Sequence, residues 1–162
     1  MSGSNTICVA TALIETGMVA STEPITQLTL EAPAGLVTVQ AEVEDGKVKG
    51  VTFENVPAFA AHTDKIIDVP EFGTVNVDVA WGGMFYVIAD AEKLGLKIDP
   101  NHAGEIARAG EMIKAAAREQ LTCVHPENPD VFGVTICVMT GKPTAPGASA
   151  KNAVVVSSGR LD

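Results

Sequence analysis

The first half of the chain combines one strongly apolar segment with strands in which every second residue is apolar. Residues 5–16 are apolar on nearly every face, follow Ser4 as a candidate N-cap and end at Gly17, which predicts a short helix buried on all sides. Residues 25–31 and 36–44 alternate apolar and polar positions, as half-buried strands do. The apolar positions of the second strand are Val37, Val39, Ala41 and Val43.

A hairpin is predicted where the second of these strands ends. Asp45-Gly46 is a two-residue sequence whose backbone twist matches that of an antiparallel hairpin, so residues 47–54 are expected to return as the next strand. Val48 cannot share a face with Val51 in a regular strand. This change of phase indicates an extra residue, and therefore a β-bulge, near Gly50.

The second half of the chain combines more strands with one amphipathic helix. Asp99-Pro100 is typical of a helix start, and apolar residues then recur at helical spacing as far as Leu121. The apolar stripe comprises Ile106, Ala109, Ile113, Ala116 and Ala117, and the predicted solvent-facing residues are Glu105, Arg108, Glu111, Lys114 and Arg118. Strands are predicted at residues 64–69, 74–81, 84–89, 131–139 and 152–157. This order of elements favours the α+β class over a parallel βαβ repeat.

Length and composition are typical of a globular protein. The chain has 162 residues, enough for one full domain or for half of a two-domain enzyme, with 46% hydrophobic and 19% charged residues. Its net charge of -9 would repel a phosphate backbone, so no nucleic-acid partner is expected. The apolar residues 7–14 are too few to span a bilayer and lack the flanks of a signal peptide. We therefore expect no membrane association and a cytoplasmic location.

Neither a metal nor a cofactor is expected from the sequence. Cys8, Cys123 and Cys137 form no CxxC pair and are interpreted as small buried hydrophobic residues. The three histidines are scattered without metal-ligand spacing. Gly82-Gly83 lacks the lysine and the spacing of a nucleotide-binding loop.

Three segments are candidates for chemistry. Residues 2–6 directly precede the apolar helix, whose N-terminal amides and dipole form a natural anion site, although spacing alone favours ordinary capping by Ser4. Residues 125–129, His-Pro-Glu-Asn-Pro, are either a functional loop or a surface connection shaped by two prolines. Residues 81–85 either wall a small apolar pocket or pack in the core at a tight turn. The connection and the core packing are the favoured interpretations of these last two segments.

Several motifs, taken in order, resemble the proline racemase family. The family's first active-site segment reads Met-Cys-Gly-His, then Gly or Asn, then Thr-Ile, and here residues 1–7 read Met-Ser-Gly-Ser-Asn-Thr-Ile. Further matches lie at residues 15–19 (ETGMV), 31–35 (EAPAG), 55–59 (NVPAF), 80–83 (AWGG) and 155–162. The resemblance covers essentially the whole chain.

The resemblance implies a diaminopimelate-epimerase-like domain, in which a strongly curved, mostly antiparallel sheet wraps around a central helix. Family members have about twice this length and two such domains, with the active site between them. Residues 1–162 are therefore expected to be one domain or the central portion of a two-domain enzyme. The N-terminal part, and a second catalytic segment with a cysteine beyond Asp162, are expected to lie outside this chain. Because inversion at Cα needs an acid and a base on opposite faces, the fragment alone is expected to be inactive.

The resemblance also implies roles for five residues. Ser2 takes the first acid/base position, where racemases carry a cysteine, and Asp162 contacts the ring nitrogen of the substrate. Backbone amides around Gly3 and Ser4 hold the substrate carboxylate, and Asn5 belongs to the same substrate-binding segment. Ser4 replaces the family's histidine. An unassisted serine hydroxyl does not ionise near neutrality, whereas a free cysteine thiol has a pKa of about 8.5, so a symmetric thiol pair is excluded.

Serine-type members of the family resemble this chain best and act on hydroxyprolines. The resemblance therefore implies a cofactor-independent hydroxyproline dehydratase or 2-epimerase of amino acid catabolism, a lyase or an isomerase. Its reaction would be dehydration of trans-3-hydroxy-L-proline to pyrroline-2-carboxylate, C2 epimerisation of 4-hydroxyproline, or both. A proline racemase and a non-catalytic carboxylate-binding module remain the alternatives. The expected partner is a small imino acid, and a homodimer is allowed for.

Overall fold

The computed structural model describes residues 2–162, which form two compact units that divide between Ala58 and Phe59. Each unit combines one main helix with one sheet, so the prediction of the α+β class is confirmed. The sheets have three and five strands. The prediction of one domain, or of the central portion of a two-domain enzyme, stays a prediction. Neither main helix of the described residues is long and apolar enough to cross a membrane.

The first unit is a helix on a three-stranded antiparallel sheet. Helix α1 spans Gly3–Glu15, and strands β1 (Ile25–Ala32), β2 (Gly35–Glu44) and β3 (Lys47–Glu54) pair in the order β1-β2-β3. The four predicted apolar positions of β2 are all buried. Burial of this alternating face against the helix forms the core of the unit, because apolar surface is removed from water on both elements. The core residues are Ala10, Ile14, Val37, Val39, Ala41 and Val43.

Helix α1 is buried on one face only, so the prediction of a helix buried on all sides is wrong. Thr6, Ala10 and Ile14, spaced four residues apart, are buried. Ile7 and Val9 are 40% and 47% exposed. The physical reason is that the three strands pack against a single stripe of the helix. Apolar residues on the other faces of a helix do not by themselves show that another element covers those faces.

The predicted hairpin between β2 and β3 is confirmed in detail. Asp45-Gly46 has φ values of 52° and 69°, the left-handed pair that a type I′ turn requires. The register shifts by one residue between Glu42 and Val43, with Gly50 opposite Glu42. Lys49 is thus the extra residue of the predicted bulge.

The second unit is built on a five-stranded sheet in the order β4-β5-β6-β7-β8. The neighbouring pairs are antiparallel except for β6 with β7, which are parallel. A mostly antiparallel arrangement was expected, and the one parallel pair is joined by a crossover that contains the second helix. The strands are β4 (Phe59–Val69), β5 (Gly73–Trp81), β6 (Phe85–Asp90), β7 (Val134–Gly141) and β8 (Lys151–Val155).

Strand β7 begins at Val134, later than the sequence predicts, because residues 131–133 pair with another segment. The amide of His125 donates to the carbonyl of Val131 at 2.9 Å, and the amide of Gly133 donates to the carbonyl of Cys123 at 2.8 Å. The chain between α2 and β7 is therefore a small antiparallel loop closed by backbone hydrogen bonds.

Helix α2, Ala103–Gln120, packs on the sheet of the second unit. Asp99 accepts a hydrogen bond from the amide of Asn101 at 2.9 Å and caps a short 3-10 turn that leads directly into the helix. At Gly110 the helix approaches β8 so closely that an added Cβ would lie 2.5 Å from Cγ2 of Val155. Glycine is therefore required there for close packing.

The helical pattern predicts that Lys114 faces solvent, and this prediction is wrong. Its side chain is only 1% exposed. The burial is tolerated because the ammonium group has two partners inside the unit, the carboxylate of Glu111 and the carbonyl of Val156.

The segment after β8 folds back on the strand, and Val154 and Asp162 exchange two backbone hydrogen bonds of 2.9 Å and 2.8 Å.

Candidate active site

Ser2 is the N-cap of α1, a role that the sequence assigns to Ser4. Ser2 has extended backbone angles (φ -120°, ψ 120°), and its Oγ accepts a hydrogen bond from the amide of Asn5 at 3.5 Å. Its carbonyl also accepts the first helical hydrogen bond, from the amide of Thr6 at 3.0 Å. The prediction of Ser4 as the cap is wrong because the helix begins at Gly3, two residues earlier than expected. The first predicted motif residue, Met1, lies outside the described residues.

Four of the five predicted site residues, Ser2, Gly3, Ser4 and Asn5, lie together at the N-terminal end of α1. The hydroxyls of Ser2 and Ser4 are 3.3 Å apart, close enough for one to donate to the other. A Cβ added at Gly3 would lie 3.1 Å from Cζ of Phe53, so glycine permits the close approach of the helix to β3. The first amides of a helix have no intrahelical partner and carry the positive end of the helix dipole, so this end of α1 suits an anion.

A cavity of about 250 Å³ adjoins this helix end. It is smaller than pockets for drug-sized ligands, which start at about 300 Å³, so its size suits a small molecule. Ser2 and Asn5 at the helix end and Glu31 of β1 are among the residues that line it. The lining also includes Thr6, Val9 and Pro33.

Asp162, the fifth predicted site residue, belongs to the second unit. It is exposed and lines a cavity of about 420 Å³. Its backbone is paired with Val154. The polar residues that share this cavity are Asp99, Lys151 and Asn152. The structure thus brings Ser2, Gly3, Ser4 and Asn5 together in one unit and places Asp162 in the other; the roles assigned to these residues stay predictions.

The two other candidate segments meet in the core of the second unit. The ring of His125 lies edge-on to Trp81, with 4.7 Å between the ring centroids, and 5.8 Å from the ring of Phe59. Trp81 and Phe85 are 4% and 1% exposed. Core packing therefore accounts for the aromatic residues at positions 81–85, and His125 anchors its proline-rich loop against them.

The cysteines divide into one exposed and two buried residues. The interpretation as buried hydrophobic residues is right for Cys123 and Cys137 and wrong for Cys8, which is exposed on α1. Burial raises the pKa of the Cys137 thiol to about 12, so this group stays protonated at neutral pH and is no nucleophile. Among residues 2–162, no three His, Cys, Asp or Glu side chains come together as a metal site would require.

The sequence pattern does not predict the cluster around Lys114. Its Nζ lies 2.5 Å from Oε1 of Glu111, and the same oxygen accepts the amide of Gly159 at 2.8 Å. Although burial alone would raise the pKa of Glu111, the hydrogen bonds from Lys114 and from Gly159 hold it below its ordinary value. One signal was present in the sequence, because Lys114 follows Gly110 by four residues and so lies on the same face of the helix.

Comparison with known proteins supports the resemblance over the full length. The family described as Proline racemase matches residues 1–162. A crystal structure of a probable proline racemase from Agrobacterium radiobacter, with bound carbonate, is 36% identical, with a TM-score of 0.93. The alignment covers 100% of this chain and 47% of that one.

A second crystal structure is that of a hydroxyproline epimerase from Agrobacterium vitis with bound trans-4-OH-L-proline. It is 36% identical, has a TM-score of 0.91, and aligns over 100% of this chain and 46% of that one. The chain thus spans about half the length of both structures. Their similarity confirms the diaminopimelate-epimerase-like fold, and with the family match over residues 1–162 it shows that the chain belongs to the proline racemase family.

Proposed function

We propose that the full-length protein containing this chain transfers a proton at Cα of a hydroxyproline without a cofactor. The observation that carries the proposal is the position of Ser2, a hydroxyl at the N-cap of α1 in the segment that resembles the family's first active-site segment. The proposed ligand is a small imino acid, whose carboxylate binds at this helix end. Asp162 is the proposed contact for its ring nitrogen.

The N-terminal end of α1 supports the binding of a carboxylate. The amides of Gly3 and Ser4 lie in the first turn, where the helix dipole contributes the equivalent of about half a positive charge. No basic side chain is needed for such a site, because backbone donors and the dipole together favour an anion. The neighbouring cavity of about 250 Å³ gives a molecule of imino acid size room beside Ser2 and Asn5.

Ser2 limits the chemistry that this end of the helix can perform. A serine hydroxyl is a poor base near neutral pH, whereas it donates and accepts hydrogen bonds readily. Ser2 therefore serves as a hydroxyl contact or a proton relay, and a second acid/base group must act on the opposite face of Cα.

Epimerisation at C2 of 4-hydroxyproline is the first reaction to test. A structure 36% identical to this chain is that of a hydroxyproline epimerase with bound trans-4-OH-L-proline. Dehydration of trans-3-hydroxy-L-proline is the second candidate, and Ser2 favours it. Dehydration needs one base at Cα and help for the departing hydroxyl, an asymmetric requirement that a hydroxyl side chain can meet.

The full-length protein incubated in deuterated water with each imino acid separates these reactions. Deuterium at Cα with the hydroxyl retained is the expected result for 4-hydroxyproline, and formation of pyrroline-2-carboxylate identifies dehydration. Faster labelling of L-proline than of any hydroxyproline would contradict the proposed substrate class and establish a racemase instead.

A carboxylate-binding module without catalysis is the competing function of another class. The helix end of α1 is sufficient for binding alone, since it requires no acid or base. Calorimetry with 4-hydroxyproline, run beside the deuterium experiment, distinguishes the two. Binding without any exchange at Cα would establish the module and refute the enzyme.

A further inference from the structure

Lys114 is a buried cation in the second unit whose place the proposed reaction does not explain. Its side chain is 1% exposed. Removing an ammonium group from water is costly unless charge and hydrogen bonds compensate, and an apolar side chain of the same length would fill the space without that cost. The burial therefore calls for an explanation in what Lys114 contacts.

Lys114 and Glu111 hold both ends of the turn that follows β8. Nζ of Lys114 donates to the carbonyl of Val156 at 3.0 Å and lies 2.5 Å from Oε1 of Glu111. That oxygen accepts the amide of Gly159 at 2.8 Å. Between these points the chain forms the 3-10 turn Ser157–Gly159. We call Glu111 and Lys114 the turn clamp.

The clamped turn leads directly into the pairing that holds the backbone of Asp162. The amide of Val156 donates to the carbonyl of Arg160 at 2.9 Å, and Val154 and Asp162 then exchange hydrogen bonds of 2.9 Å and 2.8 Å. Gly159 has a φ of 66° and connects the clamp to this pairing. Because only two residues separate Gly159 from Asp162, a displacement of the turn acts on the backbone that carries Asp162.

We infer that Glu111 and Lys114 are positioning residues that fix the Asp162 carboxylate for its contact with the ring nitrogen of the substrate, an inference that rests on the proposed function. Hydrogen bonds suit this task because they depend on both distance and angle, and the clamp makes one to each end of the turn. Burial acts to raise the pKa of Glu111, but the hydrogen bonds from Lys114 and Gly159 and the nearby positive charges of Lys114 and Arg118 hold it below its ordinary value, so the clamp is ionised at neutral pH.

Kinetics of the full-length protein test the positioning role. Glu111→Ala removes the acceptor of Gly159 and is expected to raise the KM for hydroxyproline about tenfold, with a smaller fall in kcat. Glu111→Gln keeps an oxygen that can accept from Gly159 but removes the charge that pairs with Lys114, so its KM is expected to lie between that of the parent and that of Glu111→Ala. Arg108→Gln, also on α2, removes an exposed ion pair with Glu71 of the β4-β5 turn and serves as the control with unchanged KM.

A purely structural role gives a different result. It would lower the melting temperature of Glu111→Ala while leaving the KM of the folded enzyme unchanged, and that outcome would overturn the inference. Equal KM values for the alanine and glutamine variants would overturn it as well.

Amide hydrogen exchange tests the clamp without any substrate. In Glu111→Ala the amides of Gly159 and Asp162 are expected to exchange at least about tenfold faster than in the parent and in Arg108→Gln. Unchanged exchange at Asp162 would overturn the inference even if the enzyme is active. If instead the protein turns over no hydroxyproline while exchange at Asp162 accelerates, the proposed function fails and the clamp is shown to order Asp162.

Discussion

Ser2 combines a structural and a chemical task in one hydroxyl. Its Oγ caps α1 through the amide of Asn5, yet the 3.5 Å distance is long compared with the usual N–H···O separation of about 2.9 Å. The hydroxyl is therefore held weakly and can turn towards a ligand at little cost. A capping serine that also faces a cavity is well placed to exchange its helix contact for a substrate contact.

Replacing Ser2 by alanine separates these two tasks. We expect kcat/KM of the full-length protein to fall by at least about 100-fold, the usual contribution of a positioned acid/base group. Stability is expected to fall by only about 1 kcal/mol or less, because the capping bond is long. Deuterium exchange at Cα and urea unfolding measure the two effects.

Ser4→Ala is the control for stability at the same helix end. Ser4 does not cap α1, so its replacement is expected to change the free energy of unfolding by less than about 0.5 kcal/mol. A Ser2→Ala protein with the parent's exchange rate would show that the Ser2 hydroxyl has no part in the chemistry.

Helix α2 serves as the platform for the segment that ends at Asp162. Three of its residues, Gly110, Glu111 and Lys114, contact β8 and the turn that follows it. Gly110 packs closely against Val155, while Glu111 and Lys114 make hydrogen bonds to the residues that follow it, Val156 and Gly159. The helix therefore fixes this segment by shape and by charge together.

Two glycines of α2 give a matched test of that packing. Gly110→Ala places a Cβ 2.5 Å from Cγ2 of Val155 and is expected to destabilise the protein by about 1–3 kcal/mol through overpacking. Gly104→Ala meets no heavy atom within 4 Å and is expected to stabilise the helix by up to about 1 kcal/mol through helix propensity. Urea unfolding measures both. Equal and favourable effects would mean that the helix does not approach β8 this closely.

Local features of the fold were predictable from sequence, and long-range contacts were not. The Asp45-Gly46 turn and the buried face of β2 depend on neighbouring residues and are correct in the prediction. The burial of Lys114 depends on Val156, which is distant in sequence, so helical periodicity alone placed it on the wrong side. The contact between Trp81 and His125 was missed for the same reason.

Part of the candidate site was likewise predictable from the sequence and part was not. Its residues followed from a motif, and the helix that presents Ser2 followed from its apolar run. The identity of the cap did not follow, because Ser2 and Ser4 have the same chemistry and only the actual first turn decides between them.

Over the whole molecule, carboxylates with lowered pKa values occur in both units. In the first unit the pKa of Glu15 is lowered by hydrogen bonds from Lys47 and from the amide of Val48. In the second unit the pKa of Asp99 is lowered by the amide of Asn101. Burial acts to raise the pKa of Glu111, but the hydrogen bonds from Lys114 and Gly159 help to hold it below its ordinary value. With twenty acidic and eleven basic residues, the chain is sensitive to the protonation of such groups.

Stability is accordingly expected to fall on acidification. Each of these groups has a folded-state pKa below its ordinary value of 4.5 for Glu or 3.8 for Asp. Its contribution is therefore complete above the ordinary value and is lost as pH falls through the lower, folded-state value. The urea midpoint should be lower at about pH 3 than at about pH 7. Glu111→Gln should show a smaller decrease than the parent, and an equal decrease would refute the contribution of Glu111.

The close approach of Gly110 to Val155 also limits how this protein can diverge. A side chain at position 110 conflicts with a valine at position 155, because its first carbon would lie 2.5 Å from Cγ2 and 2.7 Å from Cβ of Val155. A smaller residue at 155 removes the overlap, so the two positions should accept larger and smaller residues only in compensation. Related sequences should therefore show covariation at this pair, and Val155→Ala should restore most of the stability that Gly110→Ala removes.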